Sequence, residues 1–387
     1  MPDAWLAAVP GAREHEPLGP HSWYGIGGRA RYFLALDDDA GLAALIARLT
    51  REGAPYLVIG AATNTLFAAE ELPGLTIKLG TARLAVDGSR VTASAGYLMP
   101  KLAADTAKKG RTGLEFGAGV PGMVGGSVVG NAGAFGREVK DGLVSTDVID
   151  PQGQVHTLSA ADCRLAYRDS ILKSEKAGWV VLSATFETGE DDPSRIRDRI
   201  KEVQRHRRQT QPIEKRSLGS TFKNPPGDAA GRLIDACGLK GRRLGDAQIS
   251  EKHANFIVNL GGATADDVLA LMAEMRNRVF ERFGIELEPE IRVIGRAPRG
   301  LVDGRRSTRF PSCPPSRSSA RWIPSASSRC RFISTRTGAG WWAHRSRGWW
   351  ARMPPANTCT FRRTRRNIRW CPPRTALASH PRCHRST

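Results

Sequence analysis

Residues 31–37, RYFLALD, alternate in polarity and carry aromatic side chains, which predicts a strand. The period then changes. In DDDAGLAALIARLTREG, Leu42, Leu45, Ile46 and Leu49 fall on one helical face, and Gly53 marks the stop. YLVIG (56–60) and LTIKLG (75–80) are short apolar runs of strand length. RLAVDGSRVTASAG predicts a hairpin with Asp87-Gly88 at its turn. GYLMPKLAADTAKKG predicts a helix that ends at Gly110. A second hairpin, STDVIDPQGQVHTL, and a strand over 179–188, WVVLSATFET, follow it.

The pattern then turns polar. SRIRDRIKEVQRHRRQTQP is a charged helix closed by Pro212 and reads as a link between domains. AAGRLIDACG predicts a short helix, HANFIVNLGG a strand, and TADDVLALMAEMRNRVFERFG a long helix. Thr264 and Asp267 form a capping box for the long helix, and Val268, Leu271, Met272, Met275 and Val279 form its core stripe. EIRVIG is the last strand. Hairpins mixed with helices, rather than regular βαβ repeats, predict an α+β fold. No internal repeat is present.

Composition changes this picture in one region. The chain has 387 residues, room for two or three domains, and a formal charge of +20. That charge suggests a nucleic-acid partner, but its distribution denies one. Residues 299–387 hold twenty Arg, no Lys, no Glu and the single acid Asp303, a net of +19. Residues 1–298 are left with +1, so no nucleic-acid partner is expected for the body. Six of the nine Trp and five of the seven Cys also lie in the tail. The tail sustains no helical or strand period, and disordered tails are ordinarily poor in Trp and Cys. It resembles a GC-rich gene read out of frame from about residue 299. The alternative is a genuine Arg-rich arm for a nucleic acid or a membrane, since Arg with interleaved aromatics binds phosphate and stacks bases. Intact mass of protein from its native source separates the two, since a mass matching all 387 residues would sink the out-of-frame reading.

In the body, Cys163 and Cys237 are widely spaced and fit free thiols in a reducing compartment. No apolar run reaches about twenty residues, and no basic start precedes an apolar core at the N-terminus. A cytoplasmic protein with no membrane partner is expected.

Five stretches carry candidate chemistry. VIGAATNTLF (58–67) is a strand leading into a small-residue turn, where backbone N–H groups can approach a phosphate. GVPGMVGGSVVGNAGAFG (119–136) has seven glycines among apolar residues. A flexible linker would be polar, so this segment is expected to be buried against a planar cofactor with a pyrophosphate, or against another strand. AYRDSILKSE places Arg168 between Tyr167 and Asp169. SLGSTFKNP groups Ser220, Lys223 and Asn224 in one turn. EPEIRVIG puts Glu290 and Arg292 on one face of a strand. No Cys/His spacing resembles a zinc site, so no metal is expected. The GxGxxG match at Gly117–Gly122 lacks an acid at dinucleotide-fold spacing.

Taken in order, SWYGIGGRARYF, VIGAATNTLF, GVPGMVGGSVVGNAGAFGRE, YRDS, GSTFKNP, AGRLIDACGLKG, AQISEKHANFIVN and PEIRVIG resemble the UDP-N-acetylmuramate dehydrogenases, or UDP-N-acetylenolpyruvoylglucosamine reductases. The resemblance spans roughly residues 20–296 and stops before the tail. It implies a three-domain α+β flavoprotein of the vanillyl-alcohol-oxidase-like (PCMH-type) class. Residues 1–82 and 83–194 would be FAD-binding subdomains, and 195–298 the substrate-binding domain. FAD would be held without a covalent bond by Gly60, Ala61, Thr63, Asn64, Thr65, Gly119, Pro121, Gly122, Gly125, Gly126, Ser127, Gly130, Asn131, Ala132, Gly133 and Arg292.

The implied reaction reduces UDP-N-acetylglucosamine enolpyruvate in peptidoglycan precursor synthesis. NADPH reduces the flavin and leaves. Hydride then reaches the vinyl methylene carbon, and the carbon beside the carboxylate is protonated. Ser220 is implied as proton donor, with Arg168 and Glu290 stabilising the enolate. Tyr167, Lys223, Asn224, Gln248 and His253 would bind substrate. A monomer is expected.

Two departures stand out. The usual glycine-rich turn ending in Ser-Asn reads Gly60-Ala61-Ala62-Thr63-Asn64, and Asp246 stands where glycine is expected. Residues 225–250 contain no Tyr, which implies the shorter subtype without a tyrosine-bearing loop. The competing readings are another FAD oxidoreductase on the same fold, which would lack the coupled GSTFKN and PEIR motifs, and a non-catalytic flavin or nucleotide-sugar binder, which would have lost Ser220 or Glu290.

Overall fold

The stretch at 31–37 forms the strand Arg29–Leu36, which is buried on both faces: Tyr32 and Leu34 enter one core and Phe33 another. The structure, a computed structural model, describes residues 4–37 and 39–295, with three further short strands of backbone at Phe332–Ser334, Gly340–Trp342 and Ala351–Arg352. The first sheet has the order Arg13–Pro17, Arg29–Leu36, Glu71–Leu79, Tyr56–Ile59. Its last three strands run parallel and the first is antiparallel to them. Helix Leu42–Arg51 buries Leu42, Ile46 and Leu49 as its spacing predicts, while Leu45 is half-buried at the edge of that face.

Two features of this sheet depart from the sequence reading. Strand Arg13–Pro17 (REHEP) has no apolar signal, because it is an exposed edge held by main-chain hydrogen bonds. The strand expected at 75–80 begins at Glu71 and runs through Pro73-Gly74. These residues read as breakers, but they occupy a bulge: the register shifts between Ala30 and Tyr32, and Gly74 takes φ +70°.

Residues 84–187 form a five-stranded antiparallel sheet. Its order is Val155–Ser159, Leu143–Ile149, Val180–Glu187, Arg90–Ser94, Leu84–Asp87. Both expected hairpins are present. The turn of the first lies one residue later than read, at Gly88-Ser89, because Asp87 pairs with Arg90. Helix Met99–Lys108 packs beside a turn at Glu115–Gly119. Periodicity predicts no element in the glycine–valine stretch, yet Val124–Val129 is a short helix that buries Val124 and Val128. One hydrophobic core runs through both sheets, from Leu6 to Phe186. Cys163 lies in it as a free thiol, and burial pushes its pKa up to about 11.

The charged helix, Pro193–Thr210, buries only Ile196 and Ile200, which meet Ala103, Ala107 and Ala118. Asp192 caps it. Beyond it lies a four-stranded sheet, ordered Arg216–Ser217, Ile257–Asn259, Ala247–Ile249, Arg243–Leu244. Helices Ala230–Ala236 and Ala265–Phe283 cover it, and the predicted capping box and core stripe of the long helix are present. This core also takes in Tyr24, Ile26 and Leu66 from the N-terminal part. Strand Arg292–Ile294 leaves this region and pairs in parallel with Thr65–Phe67. Ile294 is buried there among Leu18, Phe33 and Leu57.

The expectation for residues 299–387 lies outside the described residues, apart from the three short strands, which pair antiparallel in sequence order.

The GIGG run has a packing reason. A Cβ on Gly28 would lie 2.1 Å from the carbonyl oxygen of Glu70 and 2.3 Å from that of Ala69. Arg29 N–H donates to that same Glu70 oxygen at 2.8 Å, so neither strand can back away without losing a ladder bond. Gly28→Ala is expected to destabilise the fold by about 1–3 kcal/mol in a denaturant titration. An unchanged midpoint would show that the two strands are free to part.

Candidate active site

Three separate segments meet along residues 288–294. Arg292 N–H donates to the Asn64 carbonyl at 2.9 Å, and the Asn64 side-chain amide donates to the Glu290 carbonyl at 3.1 Å. On the other side, Glu290 N–H donates to Thr221 O and Lys223 N–H to Glu288 O, both at 2.9 Å. Ser220 therefore sits at the head of a short ladder whose opposite rail carries Glu290. Among the described residues, its half-buried hydroxyl has no hydrogen-bond partner.

Asn255 sets this loop. Its side chain accepts from Phe222 N–H at 3.0 Å and donates to Phe222 O at 2.8 Å, while its carbonyl accepts from Thr221 N–H at 2.7 Å. Asn255 is 2% exposed. Sequence reasoning passed it over within HANFIVNLGG as one polar residue in an apolar strand. A buried amide in such a run is the signal that would have found it.

Arg168 arrives on a tight turn closed by reciprocal bonds between Ala166 and Asp169. It takes φ +56°, a left-handed conformation usual for glycine at this turn position. Its Nε donates to Glu290 Oε1 at 2.5 Å and its Nη2 to Gly133 O at 3.3 Å. Beside it, the Tyr167 hydroxyl accepts from Asn224 N–H at 3.3 Å. Lys173, another residue the sequence reading did not single out, donates to Arg168 O at 2.6 Å. Burial raises the Glu290 pKa above the ordinary carboxylate range, outweighing the opposing charges of Arg168, Lys173 and Lys223. Burial, then the Lys223 charge, lowers the Lys173 pKa. Arg292 keeps accessible surface but is crowded by protein, and that desolvation lowers its pKa.

The two glycine-rich segments face each other. A Cβ on Gly60 would lie 2.8 Å from Met123 Sδ, and one on Gly122 would lie 3.3 Å from Thr63 Oγ1. Among the described residues, the backbone N–H groups of Ala61, Ala62, Thr63 and Asn64 have no partner within the protein. Gly126, in the first turn of its helix, faces open space, and a Cβ there would meet no atom of the described residues within 4 Å. Unpartnered donors beside an open backbone cradle fit the phosphates of a dinucleotide. The altered turn has a cost, since Ala62 takes the left-handed position at φ +47°.

The other expected residues divide. Thr65 stands opposite Arg292 in the parallel ladder. Gly119, Gly125 and Gly133 are pressed against protein atoms, so chain packing requires them. Ser127 Oγ donates to Met123 O, and the buried Asn131 amide is engaged by Ala166, Glu138 and Lys140. Gly130 ends the helix, Ala132 N–H bonds Ser127 O, and Pro121 is exposed before it. Lys223 pairs with Glu288 at 2.6 Å, and Asn224 Oδ1 accepts from Ala230 N–H at the start of a helix. Gln248 donates to Gly241 O, and His253 accepts from Asn255 N–H. Among the described residues, neither is hydrogen-bonded to Arg168, Glu290 or Ser220. Asp246 accepts from Gly262 N–H and pairs with Arg243, which accommodates a side chain there.

Comparison with known proteins agrees with this geometry. The profile of the UDP-N-acetylenolpyruvoylglucosamine reductase C-terminal domain matches residues 211–294, and that of an FAD binding domain matches 30–159. The reductase of Rubrobacter xylanophilus is 43% identical, over 74% of this chain and 96% of its own. Reductase 2 of Symbiobacterium thermophilum is 41% identical over 74% and 93%. The chain belongs to the UDP-N-acetylenolpyruvoylglucosamine reductase family. The crystal structure of the Thermus caldophilus reductase aligns at a TM-score of 0.62 and 37% identity, over 73% of this chain and 97% of that one. The fold is thus that of an α+β flavoprotein with FAD as its cofactor. As in the short-subtype reading, residues 225–250 hold only helix Ala230–Ala236 and the strands Arg243–Leu244 and Ala247–Ile249. No helix among the described residues is long and apolar enough to cross a membrane.

Asn255→Ala would leave the buried Phe222 N–H and C=O without partners, at about 1–3 kcal/mol each. The expected result is a lowered denaturation midpoint and faster proteolysis near residue 221. A variant with wild-type stability would show that Asn255 does not hold the loop.

Proposed function

We propose that this chain reduces UDP-N-acetylglucosamine enolpyruvate to UDP-N-acetylmuramate, with NADPH as reductant, and that Ser220, Arg168 and Glu290 manage the proton and the charge. The observation that carries this reading is the Arg168–Glu290 contact at 2.5 Å beside the Ser220 loop and the row of free backbone donors. Residues 61–64 and Gly126 would hold the FAD phosphates. When bound, FAD supplies the hydride, received from NADPH, that enters the vinyl methylene carbon of the enolpyruvyl group.

The rest is the work of the chain. As the methylene carbon gains hydride, the carbon beside the carboxylate gains enolate character. Arg168 is fixed by Glu290 and Gly133, so its charge faces that site with no reorganisation. Burial raises the Glu290 pKa above its ordinary value, so the carboxyl takes up a proton more readily than an exposed one, while Arg168 Nε–H donates to its Oε1. Ser220 delivers a proton to the carbon beside the carboxylate. Lys223, which acts on Glu290 electrostatically, makes the resulting oxygen anion tolerable.

The domain reading follows. Residues 1–82 and 83–194 form the flavin walls, and 195–298 supply Ser220 and Glu290 over them. Tyr167, Lys223 and Asn224 border the entrance for the sugar nucleotide. His253 accepts from the main-chain N–H of Asn255, the residue that holds the Ser220 loop, and Gln248 and His253 remain the outer substrate-side residues.

Ser220→Ala is expected to leave flavin reduction by NADPH unchanged and to slow oxidation of reduced flavin by the enolpyruvyl substrate about 100- to 10,000-fold. Stopped-flow absorbance separates the two half-reactions. Equal losses in both would refute the proton-donor role, and a purified chain without flavin absorbance would refute the function.

A further inference from the structure

Arg168 presents a problem that the reaction does not explain. It occupies the third position of a tight turn with φ +56°, where any side chain beyond glycine is strained. The guanidinium must nevertheless be there, since it contacts Glu290. Something must offset the preference of this residue for another backbone conformation.

Lys173 stands at the right place. It ends a 3-10 turn, Ile171–Lys173, whose start is anchored where Ser170 Oγ donates to Val129 O at 2.6 Å. Its ammonium reaches back five residues to the Arg168 carbonyl at 2.6 Å. Among the described residues, no carboxylate lies within ion-pair distance of Lys173. The charges that face it are Lys223 and Arg168, which repel it, and Asp169 and Glu290, which attract it. Lys173 is solvent-exposed, so its ammonium could stay in water; that it instead reaches one backbone carbonyl beside two other cations is not explained by ion pairing.

We propose that Lys173 is a positioning residue, whose bond to the Arg168 carbonyl locks the left-handed turn and so holds the Arg168 guanidinium on Glu290. With the bond, the carbonyl of Arg168 is fixed and the side chain projects to one place. Without it, the turn relaxes toward negative φ and the guanidinium swings away from the carboxyl.

The kinetic arm of the test rests on the proposed reaction, and the stability arm does not. Lys173→Met keeps the length and removes the donor. In stopped-flow, enolpyruvate reduction should slow about 10- to 100-fold, with flavin reduction by NADPH as the internal reference. Lys173→Arg, which can still donate, should recover most of the rate. In an Arg168→Ala background, Lys173→Met should cost nothing further, because its effect passes through Arg168. The same factor lost in that background would instead make Lys173 a direct substrate contact and overturn the proposal.

The second arm is thermal unfolding. Lys173→Met should lower the melting temperature, and the drop should vanish in an Arg168→Gly background, where φ +56° carries no strain. An equal drop in both backgrounds would overturn the lock, whether or not the chain reduces the enolpyruvyl substrate. If wild-type protein fails to reduce that substrate while the drop vanishes as stated, the proposed function fails and the lock stands.

Discussion

The site is held together by one piece of main chain, residues 288–294, which hydrogen-bonds to two segments far from it in sequence. One rail is the small-residue turn at 60–64, through the Asn64 carbonyl, and the other is the Ser220 loop, through Thr221 and Lys223. These are backbone bonds at 2.9 Å, so they fix position and direction together. Because side chains alternate along an extended chain, Glu290 and Arg292 follow from the register once the ladder is formed. A slip of one residue would carry both away from Arg168.

That clamp creates an electrostatic conflict, and the site uses it. Glu290 is withdrawn from water, which favours its neutral form, yet three cations surround it. Burial raises the Glu290 pKa and the three cations lower it, and burial is the larger of the opposing effects. Arg168 completes the balance by contact, at the expense of an unfavourable backbone conformation.

Local chemistry made much of this legible in sequence. The capping box at Thr264 and Asp267, the stripe along the long helix and both hairpins depend on neighbours within a few residues, and each formed, the first hairpin with its turn one residue later than read. The motifs around Arg168, Ser220 and Glu290 were visible as unusual polar groups at turns. What stayed hidden depends on distant partners. Strand Arg13–Pro17 has no apolar face, so only the neighbouring edge defines it. Pro73-Gly74 looks like an end until the bulge opposite Arg29–Leu36 accommodates it. Asn255 and Lys173 act on backbone atoms of other segments, which no spacing within the sequence encodes. In the glycine-rich stretch, a Cβ on Gly119, Gly125 or Gly133 would press on protein atoms, whereas Gly126 and Gly136 face open space among the described residues.

The late place of strand Arg292–Ile294 in the chain also sets an order of events during synthesis. Chains emerge N-terminus first, and the core shared by the two N-terminal sheets is complete once Phe186 is available. The larger core can therefore form on a nascent chain that still lacks Glu290, while the core under the 60–64 turn waits for Ile294. Ser220 emerges next, without its opposite rail. The ladder joining the 60–64 turn to the Ser220 loop is completed in a single late step, when the last strand enters beside Thr65–Phe67 and closes both interfaces at once.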